Sequence, residues 1–289
     1  SAAVMQSGVC VAPTLVERQA RGKEIAATLG CDGAPDVAAC LRRAPIEALL
    51  NTGEGIGIAD GTQVDLPHLW DLPFGFSVDG WALPEQPIRM IRAGRHNRVP
   101  FIVGSNADEM ELFLRPAQVL TCLDYNRLVR DGFGPRAGEV LRRYPCGLLP
   151  RVDAVELMTD LVFTCPARRI ARAAAAAQSE PVYRYYFTHA GPGALSVLRA
   201  HHAAELPFLF NSFAQIGVIP NLGEVYLSRS LQGYWARLAA TGDPNEGGRP
   251  HWPRYEPLRD EALALDANIS TKEQIHNANC DYWDSLAQE

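Results

Sequence analysis

The sequence lacks several features that mark other classes of protein. No apolar run among its 289 residues approaches the roughly 18 residues that a membrane-spanning helix needs. Only two of its 27 basic residues are lysines, Lys23 and Lys272, and the arginines are scattered rather than clustered. With a formal net charge of −6 the chain has no basic face, so a nucleic-acid partner is not expected. No segment recurs at a period of about 20 to 50 residues, which argues against a repeat protein.

The chain also lacks the cysteine spacings of a metal site. Its seven cysteines form neither a CxxC pair nor a Cys/His cluster of the zinc type, so no metal and no cofactor is expected. A site built from His201, His202 and Glu205 is disfavoured, because adjacent side chains on a strand or helix point in different directions. Disulfides would indicate an oxidising compartment, whereas seven reduced thiols would suit the cytosol. An odd number leaves at least one thiol free.

What the chain does contain is a pattern of short apolar strands separated by helical stretches of very unequal length. This pattern, with 47% hydrophobic residues, predicts an α/β layered fold with large helical insertions. The predicted strands are Ala2–Met5, Val99–Val103, Pro181–Thr188 and an edge strand at Ala262–Leu265. The predicted helices include Pro13–Leu29 with Thr14 as N-cap, one from about Asp36, Ile88–Gly94, a broken helical region over Met110–Gln178, and Leu222–Leu238. So few strands cannot cover so many helices, which suggests that sheet strands are missing.

The stretch from Val99 to Phe113 is the best candidate for a functional site. An apolar run predicts a buried strand that stops at Gly104, and Ser105 to Ala107 have the composition of a turn. Asp108 and Glu109 then follow, at the end of a strand where α/β sheets carry ligands and catalytic groups. One hypothesis is that Glu109 is the acid of a Glu–His pair. From this stretch alone, an ordinary solvated acidic turn is the better interpretation.

A second candidate feature is the aromatic segment from Leu72 to Pro87. Leu72, Phe74 and Phe76 could form an apolar wall of a substrate pocket, together with Phe208 further along the chain. Such a wall would suit an apolar acyl or alcohol moiety. The alternative is a packed loop without a ligand.

Several short motifs occur in one order from the first residues to the last few. They are Gln6-Ser7-Gly8, Val78-Asp79-Gly80 with Leu83-Pro84, Val103-Gly104-x-Asn106-x-Asp108-Glu109, His202-x-x-Glu205-Leu206-Pro207-Phe208-x-Phe210, Gly233-Tyr234-Trp235, Thr241-Gly242-Asp243-Pro244-Asn245 with Trp252-Pro253, and Cys280-x-x-Trp283. Together they resemble the type-B carboxylesterase and cholinesterase-like family of α/β-hydrolases. The resemblance covers residues 1–289 as the C-terminal portion of one catalytic domain, with an incomplete α/β-hydrolase fold.

The resemblance implies hydrolysis of small-molecule carboxylic esters through a Ser–His–Glu triad. Glu109 would be the acid, and His202 the base, since His202 and not His201 has the family's His-x-x-Glu spacing. Glu205 would be a structural carboxylate. Ser7 would contact Glu109 from outside the triad and would not be the nucleophile.

The resemblance also implies how the cysteines pair. The family pattern suggests disulfides Cys31–Cys40 and Cys165–Cys280, with Cys122–Cys146 as a local addition and Cys10 free. Such pairing favours a secreted or extracytoplasmic protein.

The chain departs from the family pattern at the nucleophile. Neither the G-x-S-x-G elbow nor a Gly-rich oxyanion loop occurs in the sequence. The expectation is therefore that an N-terminal segment of the same domain, carrying the serine, is missing, and that these residues alone are inactive. Two family glycines are also replaced, by Met110 and Ala203, which would carry a steric cost wherever φ must be positive.

A competing hypothesis is a cholinesterase-like binding or adhesion module without catalysis. The presence of both Glu109 and His202 favours the enzyme, because a binding module has no chemical need for the pair. An intact G-x-S-x-G in the preceding sequence would support the esterase, and its absence would support the binding module.

Overall fold

The computed structural model describes residues 1–52, 76–114, 119 and 121–287. These residues contain one five-stranded sheet whose strands are adjacent in chain order, β1-β2-β3-β4-β5. The first four strands are parallel, and the last pairs antiparallel with the fourth. The strands are β1 (Ala3–Gln6), β2 (Phe101–Asn106), β3 (Val182–Phe187), β4 (Glu261–Leu265) and β5 (Ser270–Glu273).

Helices fill the connections between the parallel strands. In the described residues they are α1 (Leu15–Thr28), α2 (Val37–Arg43), α3 (Ile46–Asn51), α4 (Pro87–Arg92), α5 (Cys122–Phe133), α6 (Ala137–Arg143), α7 (Pro150–Thr159), α8 (Cys165–Ala177), α9 (Leu206–Leu209), α10 (Leu222–Thr241) and α11 (Asn277–Leu286). A short π-helical segment, Asp160–Thr164, joins α7 to α8.

The helix starts follow from local sequence chemistry. The hydroxyl of Thr14 accepts a hydrogen bond from the Glu17 amide, and the Glu17 carboxylate bonds the Thr14 amide in return. This reciprocal capping box satisfies amides that would otherwise have no partner in the first turn. Asp36 caps α2 in the simpler way, through its carboxylate alone. The predicted helices at 13–29 and from about Asp36 are therefore confirmed.

The prediction that Gly104 ends its strand is wrong. β2 continues through Gly104 to Asn106, and its residues pair with β3 along that whole length. A Cβ atom at Gly104 would lie 2.4 Å from both the ring and the carbonyl oxygen of Tyr185. Glycine therefore serves here to let an aromatic strand approach closely rather than to form a turn.

The prediction of an edge strand at 262–265 is also wrong. β4 is fully buried and lies between β3 and β5. The edge is β5, whose sequence Ser270-Thr271-Lys272-Glu273 is polar and mostly exposed. A search for apolar runs cannot find such a strand, which explains why the sequence predicted too few strands.

The sheet is covered on both faces. Ile102 and Tyr183 belong to the same apolar cluster as residues of α10, whereas their neighbours Val103 and Val182 cluster with residues of α8. Successive side chains on a strand point to opposite faces, so α8 and α10 lie on opposite sides of the sheet. A third cluster fills the space among α5, α6, α7, the π-helical segment and α11.

Three disulfides tie these elements together. They are Cys31–Cys40 and Cys165–Cys280, the pairs that the family pattern implies, and Cys122–Cys146, the expected local addition. Cys10 is free and buried, and burial raises the pKa of its thiol to about 11. Within the described part of the chain, none of the helices has the length and apolar character that crossing a membrane requires.

Candidate active site

The turn that follows β2 carries a fully buried carboxylate. Glu109 begins a short 3₁₀ turn at the carboxyl end of the strand. Its Oε1 accepts hydrogen bonds from the hydroxyl of Ser7, at 2.5 Å, and from the backbone amide of Asn106, at 2.7 Å. Ser7 follows β1, the neighbouring strand. The predicted contact between Ser7 and Glu109 is therefore present, because parallel strands bring their carboxyl ends to one edge.

The second oxygen of Glu109 holds a histidine. Nδ1 of His202 lies 2.6 Å from Oε2 of Glu109, across 93 residues of sequence. The imidazole also packs near two aromatic rings, with centroid distances of 5.4 Å to Phe113 and 5.3 Å to Phe163. The side chain is 37% exposed. No described residue hydrogen-bonds Nε2, so the ring can exchange a proton at that atom.

The carboxylate changes the proton affinity of this ring. The hydrogen bond to Glu109 raises the pKa of His202 above 6.5, and the negative charges of Glu109 and Glu205 add to that effect. Burial acts in the opposite direction but does not prevail. A buried carboxylate on Nδ1 thus fixes one tautomer and stabilises the imidazolium that forms when Nε2 accepts a proton.

Polar residues at the strand ends form a support around the pair. Glu205 is buried and accepts hydrogen bonds from Nε2 of Gln6, at 2.8 Å, and from Nδ2 of Asn106, at 2.6 Å. The same amide nitrogen of Asn106 lies 2.8 Å from the carbonyl oxygen of His201. Glu205 therefore makes the structural contacts expected of it. Gln6 and Asn106 belong to the site although their motifs predicted no role for them; their positions at the ends of two adjacent strands could have indicated one.

Asp108 binds the loop that carries the histidine. Its Oδ1 forms an ion pair with Nη2 of Arg199, at 2.6 Å. Its Oδ2 accepts a hydrogen bond from the Ala200 amide, at 3.2 Å, and its own amide donates to the Ala200 carbonyl, at 3.0 Å. Burial raises the pKa of Asp108, while the charge of Arg199 opposes that rise.

The other residues singled out from sequence lie elsewhere. Nδ1 of His201 lies near the carbonyl oxygen of Arg199, at 3.2 Å, and not near Glu109. Ala203 has a φ of 67°, in the left-handed region, whereas Met110 is not among the residues with positive φ. The steric cost suspected at both positions therefore applies to Ala203 alone.

The proposed apolar wall stays a prediction. Leu72 and Phe74 lie outside the described residues. Phe76 is 64% exposed, while Phe208 has no exposed surface and packs against Phe187 and Phe213.

One group in the described part of the chain has the composition of a metal site. Ligand atoms of Glu156, Asp160 and His276 lie within 4.8 Å of one another. Asp160 is already bonded: Nδ1 of His276 lies 2.6 Å from one oxygen, and the hydroxyl of Tyr144 donates to the other at 2.9 Å. An internal ion pair thus joins Asp160 and His276.

Comparison with known proteins adds independent information. Residues 1–121 and 150–283 match the model of the Carboxylesterase family. The chain is 27% identical over 307 residues to the acylcarnitine hydrolase of Rattus norvegicus, covering 97% of the chain and 52% of that protein. It is 30% identical over 232 residues to the para-nitrobenzyl esterase of Bacillus subtilis (strain 168), covering 78% of the chain and 45% of that protein.

Solved esterase structures have the same fold as this chain. A PNB esterase superposes with a TM-score of 0.73 at 25% identity, covering 97% of this chain and 57% of the other. EstA of Aspergillus niger superposes with a TM-score of 0.78 at 21% identity, covering 99% and 58%. The chain spans about half the length of the curated relatives that it matches.

Proposed function

The chain belongs to the carboxylesterase family and has the α/β-hydrolase fold, and on that premise we propose that it supplies the acid and the base of a serine carboxylic ester hydrolase. The observation that carries the proposal is the 2.6 Å contact between buried Glu109 and half-exposed His202. In a purely structural ion pair, Nε2 of the imidazole would not have to remain available to another partner.

In this proposal His202 transfers the proton, and Glu109 holds and stabilises the imidazole. Nε2 of His202 removes the proton from a serine hydroxyl as its oxygen attacks the ester carbonyl. Glu109 keeps Nδ1 protonated and stabilises the imidazolium. The imidazolium then gives its proton to the departing alcohol, which leaves an acyl-enzyme. A water molecule, activated by the same histidine, releases the acid and regenerates the serine.

The serine of this mechanism lies outside the 289 residues, because they contain no G-x-S-x-G. The order serine, acid, base along the chain suits the fold. The residues alone are expected to lack esterase activity, since loss of the nucleophile alone costs about 10⁶-fold in kcat in a serine hydrolase.

The substrates in this proposal are small carboxylic esters. The names of the relatives point to this class, since they include an acylcarnitine hydrolase, a para-nitrobenzyl esterase and a fumonisin B1 esterase. We also propose that the protein is secreted or extracytoplasmic, because its three disulfides persist in oxidising compartments.

The test uses a protein that contains these residues together with the serine-bearing segment. Initial rates on p-nitrophenyl acetate and butyrate give kcat/KM for the wild type and for His202→Ala and Glu109→Ala. We expect losses of roughly 10³-fold or more for both variants. His201→Ala, one residue away and without a contact to Glu109, is the matched control and should stay within a few fold.

Two results would contradict the proposal. His202→Ala could retain wild-type activity, or the preceding segment could lack G-x-S-x-G while the protein binds ligands without hydrolysing them. The second result would support the non-catalytic binding module.

A further inference from the structure

We propose that Asp108 is a positioning residue that, together with Arg199, holds the His202 loop in register with Glu109. The catalytic consequence of this role rests on the proposed esterase function. The structural role does not, because it concerns only how two loops are joined.

The carboxylate and the backbone amide of Asp108 bond one short segment. Both of its carboxylate oxygens and its backbone amide bond to residues 199 and 200, at 2.6, 3.2 and 3.0 Å. That segment ends two residues before His202. Glu109, the next residue after Asp108, bonds the imidazole itself. Of these two adjacent carboxylates, Asp108 therefore binds the loop and Glu109 binds the imidazole ring.

The loop that carries His202 needs contacts that fix it, because its backbone is strained. Arg199 and Ala203 have φ values of 52° and 67°, in a region that residues with a side chain rarely adopt. They lie on either side of His202. Such conformations are costly and persist only where the surrounding contacts fix them. Asp108 supplies contacts at one end of this strained segment.

Burial makes the interaction specific. The Asp108 side chain is 11% exposed and that of Arg199 is 41% exposed. A carboxylate so poorly solvated depends on its ion-pair and amide partners, so the loop cannot shift without leaving a buried charge unpaired. A second carboxylate of the same turn, Glu111, pairs with Arg151 and with neither residue 199 nor residue 200 in any described hydrogen bond.

A small loop displacement would affect the reaction more than substrate binding. Misplacing a catalytic group by about 1 Å can cost 10²-fold in rate. Loss of the Asp108 contacts should therefore lower kcat while KM changes little.

The experiment follows the Glu109–His202 hydrogen bond directly, in the complete protein. The Nδ1 proton shared with Glu109 is expected to give a low-field ¹H resonance, and ¹⁵N-histidine labelling reports the pKa of His202. Asp108→Ala should weaken or abolish that resonance and lower the pKa of His202 toward its ordinary value of 6.5. Arg199→Ala, at the more exposed partner, should act in the same direction, and Arg199→Lys should restore the signal in part.

Glu111→Gln is the matched control. It removes a charge and the ion pair with Arg151 from the same 3₁₀ turn, and that charge also acts on Arg199 and His201 at a distance. The bonds of Asp108 to residues 199 and 200 stay in place, so the resonance and the pKa of His202 should stay at wild-type values. If Asp108→Ala fails to fold, the two Arg199 variants still decide the question.

The outcomes separate this proposal from the esterase proposal. If folded Asp108→Ala or Arg199→Ala keeps the wild-type resonance and the wild-type pKa of His202, Asp108 is not a positioning residue. If the resonance responds as expected but the wild-type protein hydrolyses no ester, the loop role stands and the esterase function is wrong. If both hold, Asp108→Ala should lower kcat about 10-fold to 100-fold with KM within about 2-fold.

Discussion

Single residues of this site take their roles from their contacts rather than from their type. Asp108 and Glu109 are adjacent carboxylates of one turn, and both are buried. Glu109 bonds Ser7 and His202, whereas Asp108 bonds the backbone of the neighbouring loop. Ser7 resembles a nucleophile in type, yet its hydroxyl donates to the acid and makes no described contact with the base.

The first residue-scale prediction concerns the pH dependence of His202. Because Glu109 raises its pKa, the neutral imidazole needed for proton transfer should become the major form only at a pH above 6.5. The acid limb of kcat/KM in the complete protein should therefore have its midpoint above 6.5, and Glu109→Gln should move that midpoint down. A midpoint at or below 6.5 in the wild type would contradict the assigned cause.

The same shift predicts a contribution to folding stability. A histidine whose pKa is raised on folding stabilises the folded state fully below the unfolded pKa of about 6.5, and this contribution is lost as pH rises through the folded pKa. Urea unfolding across that range should show stability falling with pH in the wild type. The slope should be smaller in His202→Ala.

The next residue-scale prediction concerns Ala203. Its left-handed backbone carries a steric cost of roughly 1–2 kcal/mol that glycine avoids. Glycine in turn makes the unfolded chain more flexible, which costs about 0.4–1 kcal/mol. Ala203→Gly should thus raise the free energy of unfolding by about 0–1.6 kcal/mol, measured by urea denaturation. Ala204→Gly, a buried neighbour without positive φ, should lower it; a loss of stability in both would show that strain at Ala203 is negligible.

At the scale of elements, strand β2 brings the acid into position. Its close approach to β3 depends on Gly104, which faces the ring and carbonyl oxygen of Tyr185. The strand then runs on to Asn106, whose amide bonds Glu109. A wider β2–β3 spacing would move the turn that carries Glu109. Glycine at position 104 is therefore needed to place Glu109, although it does not contact it.

Substitution of Gly104 should therefore be costly. The added methyl group of Gly104→Ala would meet backbone as well as side-chain atoms at 2.4 Å, and overpacking of this kind costs typically 1–3 kcal/mol. We expect a loss of that size in urea denaturation. Gly22→Ala is the control: nothing lies within 4 Å of its added methyl group, and alanine favours helix α1 by about 0.5–1 kcal/mol, so this variant should gain stability. Equal stability of the wild type and Gly104→Ala would show that β3 can move aside.

At the scale of the whole molecule, the sheet has two different edges. β5 is polar and exposed, which discourages pairing with another chain. β1 bonds to β2 on one side and to no other described strand, and its Val4 is 40% exposed. The β1 edge thus combines unpaired backbone groups with apolar side chains, which favours association.

The 289-residue chain alone should therefore self-associate in a concentration-dependent way. Sedimentation velocity over a range of concentrations measures this, and Val4→Lys should shift the distribution toward monomer because a charge at an edge opposes strand pairing. Leu148→Lys, which places the same charge at a 99% exposed position away from the sheet, should leave it unchanged. A wild-type chain that stays monomeric at all concentrations would contradict this expectation.

The sequence by itself determined the features that depend on local chemistry or on ordered motifs. Capping residues such as Thr14 and Asp36 located helix starts, and apolar runs located β2, β3 and β4, because these signals act within a few residues. The order of motifs along the chain identified the family. It also singled out Glu109 and His202, which no periodicity could have joined across 93 residues.

Tertiary structure decided what depends on distant neighbours. The sequence predicted that Gly104 ends a strand, because the residue that it packs against, Tyr185, lies in a distant strand. It did not predict β5, because a polar edge strand is defined by its pairing with β4 and not by a pattern of apolar residues. The contacts of Gln6, Asn106 and Asp108 likewise appeared only in the folded chain, where the strand ends meet the segment 199–205. Hydrogen bonds and ion pairs between such residues have no period in the sequence, since the sheet topology and the loop that carries His202 set their distances.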